Sequence, residues 1–108
     1  MRVLFRVQAD ERTGLGHLQR CLSLAQALER SGAEGFFLLS GESEALGRVQ
    51  ESGLEGTWLD GEAPWSEGDR ERTAATARSL DCGAIVVDSD HEGEEYLSAL
   101  EGEGFPVC

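Results

Sequence analysis

The most constraining feature of this 108-residue chain is the alternation of short β-forming runs with segments of helical periodicity. The predicted strands are residues 3–7, 35–39, 57–59 and 84–88, and residues 105–108 are the predicted approach to a fifth strand. The predicted helices begin near residues 14, 42, 69 and 92. Short connections join them, as in parallel β-α-β units. The pattern therefore predicts an α/β fold, a Rossmann-like doubly wound parallel sheet with helices on both faces.

The junction between the first strand and the first helix is the strongest candidate for a functional site. It reads Gly14-Leu15-Gly16-His17, with Arg20 one turn later. Such a junction lies at the carboxyl edge of a parallel sheet, where ligands usually bind. Glycines let the backbone approach a ligand closely, and the free N–H groups of a helix start attract negative charge. We therefore expect His17 to face a ligand.

Other Gly-rich motifs fit this junction poorly. A dinucleotide-binding fingerprint would place a third glycine at position 19, which is Gln19, and an acidic residue after the second strand, where Ser40 and Gly41 stand. A Walker loop would need a Gly-Lys-Ser/Thr sequence, and the chain has no lysine. Neither an NAD site nor a P-loop is predicted, and no other cofactor is expected.

Charge and composition exclude several classes of partner. The chain has 21 acidic residues against nine basic ones, all arginine, and a formal net charge of −12. Nucleic acids and anionic membranes are therefore not expected partners. The first strand starts without a preceding signal peptide, and no apolar run approaches the length of a membrane span, so a cytoplasmic location is expected. The three cysteines lack metal-site spacing, and Cys21 is predicted to be a small core residue.

A wider motif gives the junction a family resemblance. Val3-Leu4-Phe5-Arg6, the Gly14–His17 junction and Arg20-Cys21-Leu22 resemble the N-terminus of the nucleotide-sugar hydrolases of the pseudaminic acid pathway. Related spore-coat polysaccharide biosynthesis proteins share this pattern. Asp69 with Thr73, and later Ile85-Val86-Val87-Asp88-Ser89, are similar to the next landmarks of that family.

The resemblance implies a fold, a reaction and site residues. Residues 1–108 would be the N-terminal half of a glycosyltransferase-B-like fold, and a second domain, absent from this chain, would hold most of the nucleotide. The reaction would be metal-independent release of UDP from a UDP-sugar, with His17 as the general base for water. The residues that would shape the loop or bind the substrate are Gly14, Gly16, Arg20, Asp88 and Asp90.

Two positions depart from the family pattern. Gln8 stands where an acidic residue is usual, although Asp10 is close by, and Asp90 stands where a tyrosine is usual. That tyrosine belongs to the sugar side of the cleft, so the identity of the sugar stays open.

Alternatives remain open for the function and for single residues. The same scaffold serves a glycosyltransferase, in which His17 would activate an acceptor hydroxyl, or a non-catalytic sugar- or nucleotide-binding module. Arg20 is equally compatible with a solvated surface role. A structural helix cap is favoured for Asp88, and the group Asp88, Asp90 and His91 lacks a fourth metal ligand. Trp65 is either a platform for a sugar or, as is more usual, a residue that packs its own loop.

Overall fold

A computed structural model of the chain describes residues 1–9, 14–41, 44–59, 61, 63–88 and 94–107, with residues 14–17, 88 and 94 described by their backbone alone. Strands and helices alternate as predicted. Their order is β1 (Arg2–Ala9), α1 (Gly14–Arg30), β2 (Glu34–Gly41), α2 (Glu44–Glu51), β3 (Glu55–Trp58), α3 (Glu67–Ser79), β4 (Cys82–Asp88) and α4 (Glu94–Gly102).

The four strands form one parallel sheet in the order β3-β2-β1-β4. Beyond β4, Ile85 and Val107 form a parallel bridge, and the Ile85 amide donates to the Pro106 carbonyl at 2.9 Å. The segment predicted to approach a fifth strand therefore pairs with the outer side of β4. The doubly wound parallel architecture expected from the sequence is confirmed.

Alternating residues of β1 supply two separate cores. Phe5 faces α1 and α2, and its ring stacks on that of Phe37 with centroids 4.8 Å apart. Leu4 faces the opposite side, where α3 and α4 cover the sheet. Cys21 lies in the first core and is 4% exposed, which confirms its expected packing role. Because β1 pairs with β2 on one side and β4 on the other, and both of its faces are covered, it is a central strand of the sheet.

Glycines with positive φ end two of these elements. Helix α1 ends at Arg30, and Gly32 in the turn that follows has φ +92°. Gly41, at the end of β2, has φ +110°, and a Cβ there would collide with the backbone oxygen of Ala9. Position 41 therefore requires glycine, both because of its positive φ and because the backbone of Ala9 leaves no room for a side chain.

Two predicted boundaries need correction. The third strand was expected at residues 57–59 but spans Glu55–Trp58, because pairing with β2 draws in Glu55 and Gly56 despite their low strand propensity. The third helix was expected to begin near residue 69. Instead Ser66 is the N-cap, its Oγ accepting from the Asp69 amide at 3.1 Å, and Asp69 lies inside the first turn.

Across the described part of the chain, none of the helices combines the length and apolar character needed to cross a membrane.

Candidate functional site

The strand order creates a switch point at the carboxyl edge of β1 and β4. From β1 the chain passes through α1 to β2 on one side, whereas β4 lies on the other side of β1 and is reached from β3 through α3. The helices that follow β1 and β4 therefore cover opposite faces of the sheet. In open α/β sheets the crevice at such a point is the usual ligand site.

The predicted junction lies at this switch point. Helix α1 begins at Gly14, so Gly16 and His17 are in its first turn, beyond the carboxyl end of β1. Arg20 is one turn further along α1 and is exposed. Asp88 is the last residue of β4 and pairs in register with Val7 of β1.

The roles of these residues remain predictions. The backbone brings the starts of the β1–α1 and β4–α4 connections together at neighbouring strand ends, whereas Asp90 and His91 lie outside the described residues. Asp10 lies outside them as well. Among the described side chains, no group of three or more His, Cys, Asp or Glu residues could hold a metal ion.

A buried ion pair lies beneath this edge, on the side of the sheet covered by α3 and α4. Arg6 of β1 and Asp69 of α3 both have fully buried side chains. The Arg6 Nε donates to Asp69 Oδ1 at 3.0 Å and the Nη2 donates to Oδ2 at 2.8 Å, which makes the pair bidentate. Arg6 also donates to the Val7 carbonyl and to Ser40 Oγ, both at 2.9 Å. The guanidinium is thus fixed to β1, β2 and α3 at once.

The Asp69 carboxylate accepts hydrogen bonds from three further residues. The Tyr96 hydroxyl of α4 donates to Oδ1 at 2.7 Å, and the Thr73 hydroxyl donates to the same oxygen at 3.0 Å. The Trp65 amide donates to Oδ2 at 2.6 Å. With the two bonds from Arg6, five donors converge on one carboxylate. Asp69 therefore links β1, α3, α4 and the loop before α3.

The network perturbs the titration of two of its members in opposite directions. Burial on its own raises the pKa of Asp69, but the hydrogen bonds and charge of Arg6, with the Trp65 amide and the Tyr96 hydroxyl, outweigh burial and hold this pKa below 3.8. For Tyr96, burial and the adjacent Asp69 carboxylate raise the pKa well above 10. Asp69 therefore stays ionised and Tyr96 stays a hydroxyl donor throughout the neutral range.

Trp65 completes this network from the loop side. Its ring lies over the Arg6 guanidinium, 4.5 Å from Cζ to centroid, and meets the Tyr96 ring edge-on at 5.1 Å. Its indole Nε1 donates to Gln8 Oε1 at 2.6 Å. An acidic side chain at position 8 would accept the same bond, so the departure from the family pattern at Gln8 keeps an acceptor there. These contacts anchor Trp65 and its loop to the core, and its role as a platform for a sugar stays a prediction.

The sequence alone does not predict this network. Arg6, Asp69 and Thr73 entered only as parts of the family motif, and Ser40 and Tyr96 were given no function. A signal was present, because Arg6 interrupts the apolar strand run Val3–Val7. A charge in a strand buried on both faces needs a buried partner. Finding Asp69 as that partner required the tertiary fold, since 63 residues separate the two.

No family model and no curated protein matches this sequence. Solved structures match over nearly the whole chain at low identity. MurG from Acinetobacter baumannii has a TM-score of 0.68 at 15% identity, covering 99% of this chain and 34% of that one. A glycosyltransferase from Rickettsia africae ESF-5 has a TM-score of 0.73 at 11% identity, covering 98% and 28%. Glycinamide ribonucleotide transformylase 1 from Symbiobacterium toebii has a TM-score of 0.64 at 11% identity, covering 99% and 49%.

These likenesses establish the fold. The chain is a Rossmann-like α/β domain. It spans about a third of the length of MurG and of the Rickettsia glycosyltransferase. The transformylase has the same fold, so the likeness alone does not select a reaction.

Proposed function

We propose that this chain is the sugar-side domain of an enzyme that acts on a UDP-sugar, with His17 as the general base. The observation that carries the proposal is the start of α1 at Gly14, directly beyond β1 at the switch point with β4. The crevice at such a point is where open α/β sheets usually bind ligands, and we expect a histidine in that first turn to reach it. The motif resemblance to nucleotide-sugar hydrolases supports the same role.

In the hydrolytic reaction, His17 takes a proton from water as the water oxygen bonds to the anomeric carbon of the sugar. The bond from that carbon to the diphosphate oxygen breaks, and UDP leaves with the electron pair. A general base must be neutral before the reaction, and the partial positive charge at a helix start disfavours imidazolium. Gly14 and Gly16 would leave room for the substrate beside the ring. Arg20, Asp88 and Asp90 would contact the substrate.

The leaving group calls for a second domain. UDP carries negative charge that must be stabilised as it departs. This chain has nine arginines against 21 acidic residues, and Arg6 is committed to Asp69. We therefore infer a companion domain that binds the nucleotide, and we expect the 108-residue chain alone to release no UDP from a UDP-sugar. Release of UDP by the purified chain would refute the need for a companion domain.

A second candidate reaction is transfer of the sugar to an acceptor hydroxyl, because two of the similar structures are MurG and a glycosyltransferase. In that reaction His17 takes the proton from the acceptor hydroxyl instead of water. The two reactions are separated by measuring UDP release by the two-domain protein with and without a saccharide acceptor. Release in water alone supports the hydrolase, and release that depends on the acceptor supports the transferase.

The role of His17 is tested by His17→Asn in the two-domain protein. Asparagine keeps polarity and approximate size but lacks the basic nitrogen, so kcat should fall on the order of a hundredfold or more. Binding of the UDP-sugar, measured by calorimetry, should be nearly unchanged. Gln19→Asn is the matched control, since Gln19 is an exposed residue two positions later on α1. A His17→Asn variant that binds and turns over like the control would place the base elsewhere.

A further inference from the structure

A groove of about 320 Å³ lies between the N-terminal ends of α3 and α4. Trp65 and Tyr96 contribute its aromatic wall, Arg70 and the carboxylates of Glu67 and Glu95 its polar rim, and Ala99 a small side chain on α4. Both helices begin at the carboxyl edge of the sheet, as α1 does. The groove is therefore on the same edge as the switch point but on the opposite face from α1.

The aromatic wall is held rigidly before any ligand arrives. The Trp65 ring is fixed by Arg6 beneath it, by the edge of Tyr96 and by its indole bond to Gln8. Tyr96 is 6% exposed and is anchored in turn by its hydroxyl bond to Asp69. A wall fixed in this way loses little conformational entropy when a ligand packs on it.

The backbone of Trp65 has a strained conformation. Its φ is +65°, in the left-handed region that bulky residues rarely adopt, at a cost of about 1–2 kcal/mol. Glycine or asparagine would turn the chain there with less strain. Strain of this kind is retained where the surrounding contacts over-determine it, and it clusters at ligand sites. The structure thus keeps a large aromatic ring beside the groove at the expense of local stability.

The polar rim selects the chemical class of the ligand. Arg70 is only loosely paired, with its guanidinium nitrogens 3.7 Å from Glu67 and 3.6 Å from Glu103. Glu67 and Glu95 are exposed carboxylates that repel phosphates and sugar acids. Carboxylates accept hydrogen bonds from the hydroxyl groups of a sugar, and a guanidinium donates hydrogen bonds to the same hydroxyl groups. An aromatic wall suits the apolar face of a pyranose ring. An uncharged saccharide satisfies all three features.

We propose that this groove binds one pyranose ring of a neutral saccharide. Binding does not depend on His17 or on UDP, so it stands apart from the reaction proposed above.

The test is a fluorescence titration of the 108-residue chain with methyl β-D-glucopyranoside and with N-acetylglucosamine. Trp58 is replaced by phenylalanine, which leaves Trp65 as the sole tryptophan of the chain. We expect a saturable change in Trp65 emission with at least one of the two sugars, with half-saturation on the order of 1 mM for a ligand of this size. Glucuronate, the charged counterpart, should bind at least several-fold more weakly because of Glu67 and Glu95.

Two leucine substitutions form the matched control. Ala99→Leu fills the groove, whereas Ala75→Leu adds the same side chain at an exposed position of α3 outside it. Binding should weaken at least tenfold in the first variant and remain in the second. If Trp58→Phe does not fold, the same titration follows the indole N–H resonance of Trp65 in the wild-type chain, assigned by its loss in Trp65→Phe. The proposal is overturned if neither sugar gives a saturable response, if Ala99→Leu binds like Ala75→Leu, or if glucuronate binds as well as the neutral sugars.

Discussion

Replacing Asp69 by asparagine is the sharpest perturbation of this fold, because it removes one charge of a buried pair and leaves the other in place. The asparagine amide also presents N–H groups where a carboxylate oxygen now accepts. With the amide nitrogen at the Oδ2 position, it faces the donors of Arg6 and Trp65. With the amide nitrogen at the Oδ1 position, it faces Arg6 and the hydroxyls of Thr73 and Tyr96. Either orientation sets donor against donor.

The magnitude follows from this geometry. Breaking a buried ion pair by removing one partner costs about 3–5 kcal/mol. A domain of this size has a free energy of unfolding of roughly 5–15 kcal/mol, so Asp69→Asn removes a large share of it. With a urea m-value of about 2 kcal/mol per molar, we expect the unfolding midpoint to fall by about 2 M.

The assay is urea unfolding of the chain followed by circular dichroism. Arg78→Gln is the control, since it breaks the surface pair with Glu103, in which Arg78 is half-exposed. An exposed pair contributes at most about 1 kcal/mol, so the control should shift the midpoint by about 0.5 M or less. Adding Arg6→Met to Asp69→Asn removes the stranded charge and should recover part of the loss. A shift for Asp69→Asn no larger than that of Arg78→Gln would refute the reasoning, as would a double variant less stable than Asp69→Asn alone.

Three further predictions concern the same network and the strand ends. Tyr96 is the sole tyrosine of the chain, and its pKa is raised, so ultraviolet titration of phenolate absorbance should show no ionisation of the folded protein near pH 10. The free energy of unfolding should decline as the pH rises above 10, because the tyrosine ionises more easily in the unfolded chain. The pKa of Asp69 is lowered, so the stability it contributes is present above pH 3.8 and is lost as the pH falls below it; the acid loss of stability should be shallower in Asp69→Asn. Gly41→Ala should lower the free energy of unfolding by about 1–3 kcal/mol, because residue 41 has a positive φ and a Cβ there collides with Ala9. Gly47→Ala lies in open space on α2 and should raise the free energy of unfolding by roughly 0.5–1 kcal/mol. Similar thermal midpoints for the two variants would contradict this prediction.

The sequence predicted the order of elements well because period and composition report local structure. The run 84–88 is apolar up to its final Asp88 and rich in β-branched residues, and it lies in β4 as predicted. The helix expected to begin near residue 14 is α1, and its residues Leu18, Leu22 and Ala25 face the core at helical spacing. The third strand was displaced because its bounds depend on pairing with Phe36 and Phe37, which local propensity does not encode. The type of each element could therefore be predicted from local sequence, whereas its exact boundaries depended on tertiary pairing.

The candidate site divides in the same way. A glycine-rich junction after a strand can be recognised in the sequence as a short motif, and the structure starts α1 at Gly14, where that motif begins. The Arg6–Asp69 pair spans two elements that meet only after β4 has crossed to the far side of β1. Trp65 was open to two interpretations because its left-handed backbone and its contact with Arg6 are tertiary properties. A sequence shows that Arg6 needs a partner, but the fold determines which carboxylate it is.

The buried arginine of β1 also governs how this strand can be aligned. Adjacent residues of a strand point to opposite faces, so a slip of one position would turn Arg6 toward the cluster beneath α1 and α2. The buried members of that cluster are apolar and offer no carboxylate. The same slip would leave Asp69 facing hydrocarbon, and each stranded ion would cost several kcal/mol. An all-apolar β1 would tolerate the shifted pairing far better. We therefore expect the ion pair to separate the native alignment from its nearest competitor by more free energy than it adds to the native state.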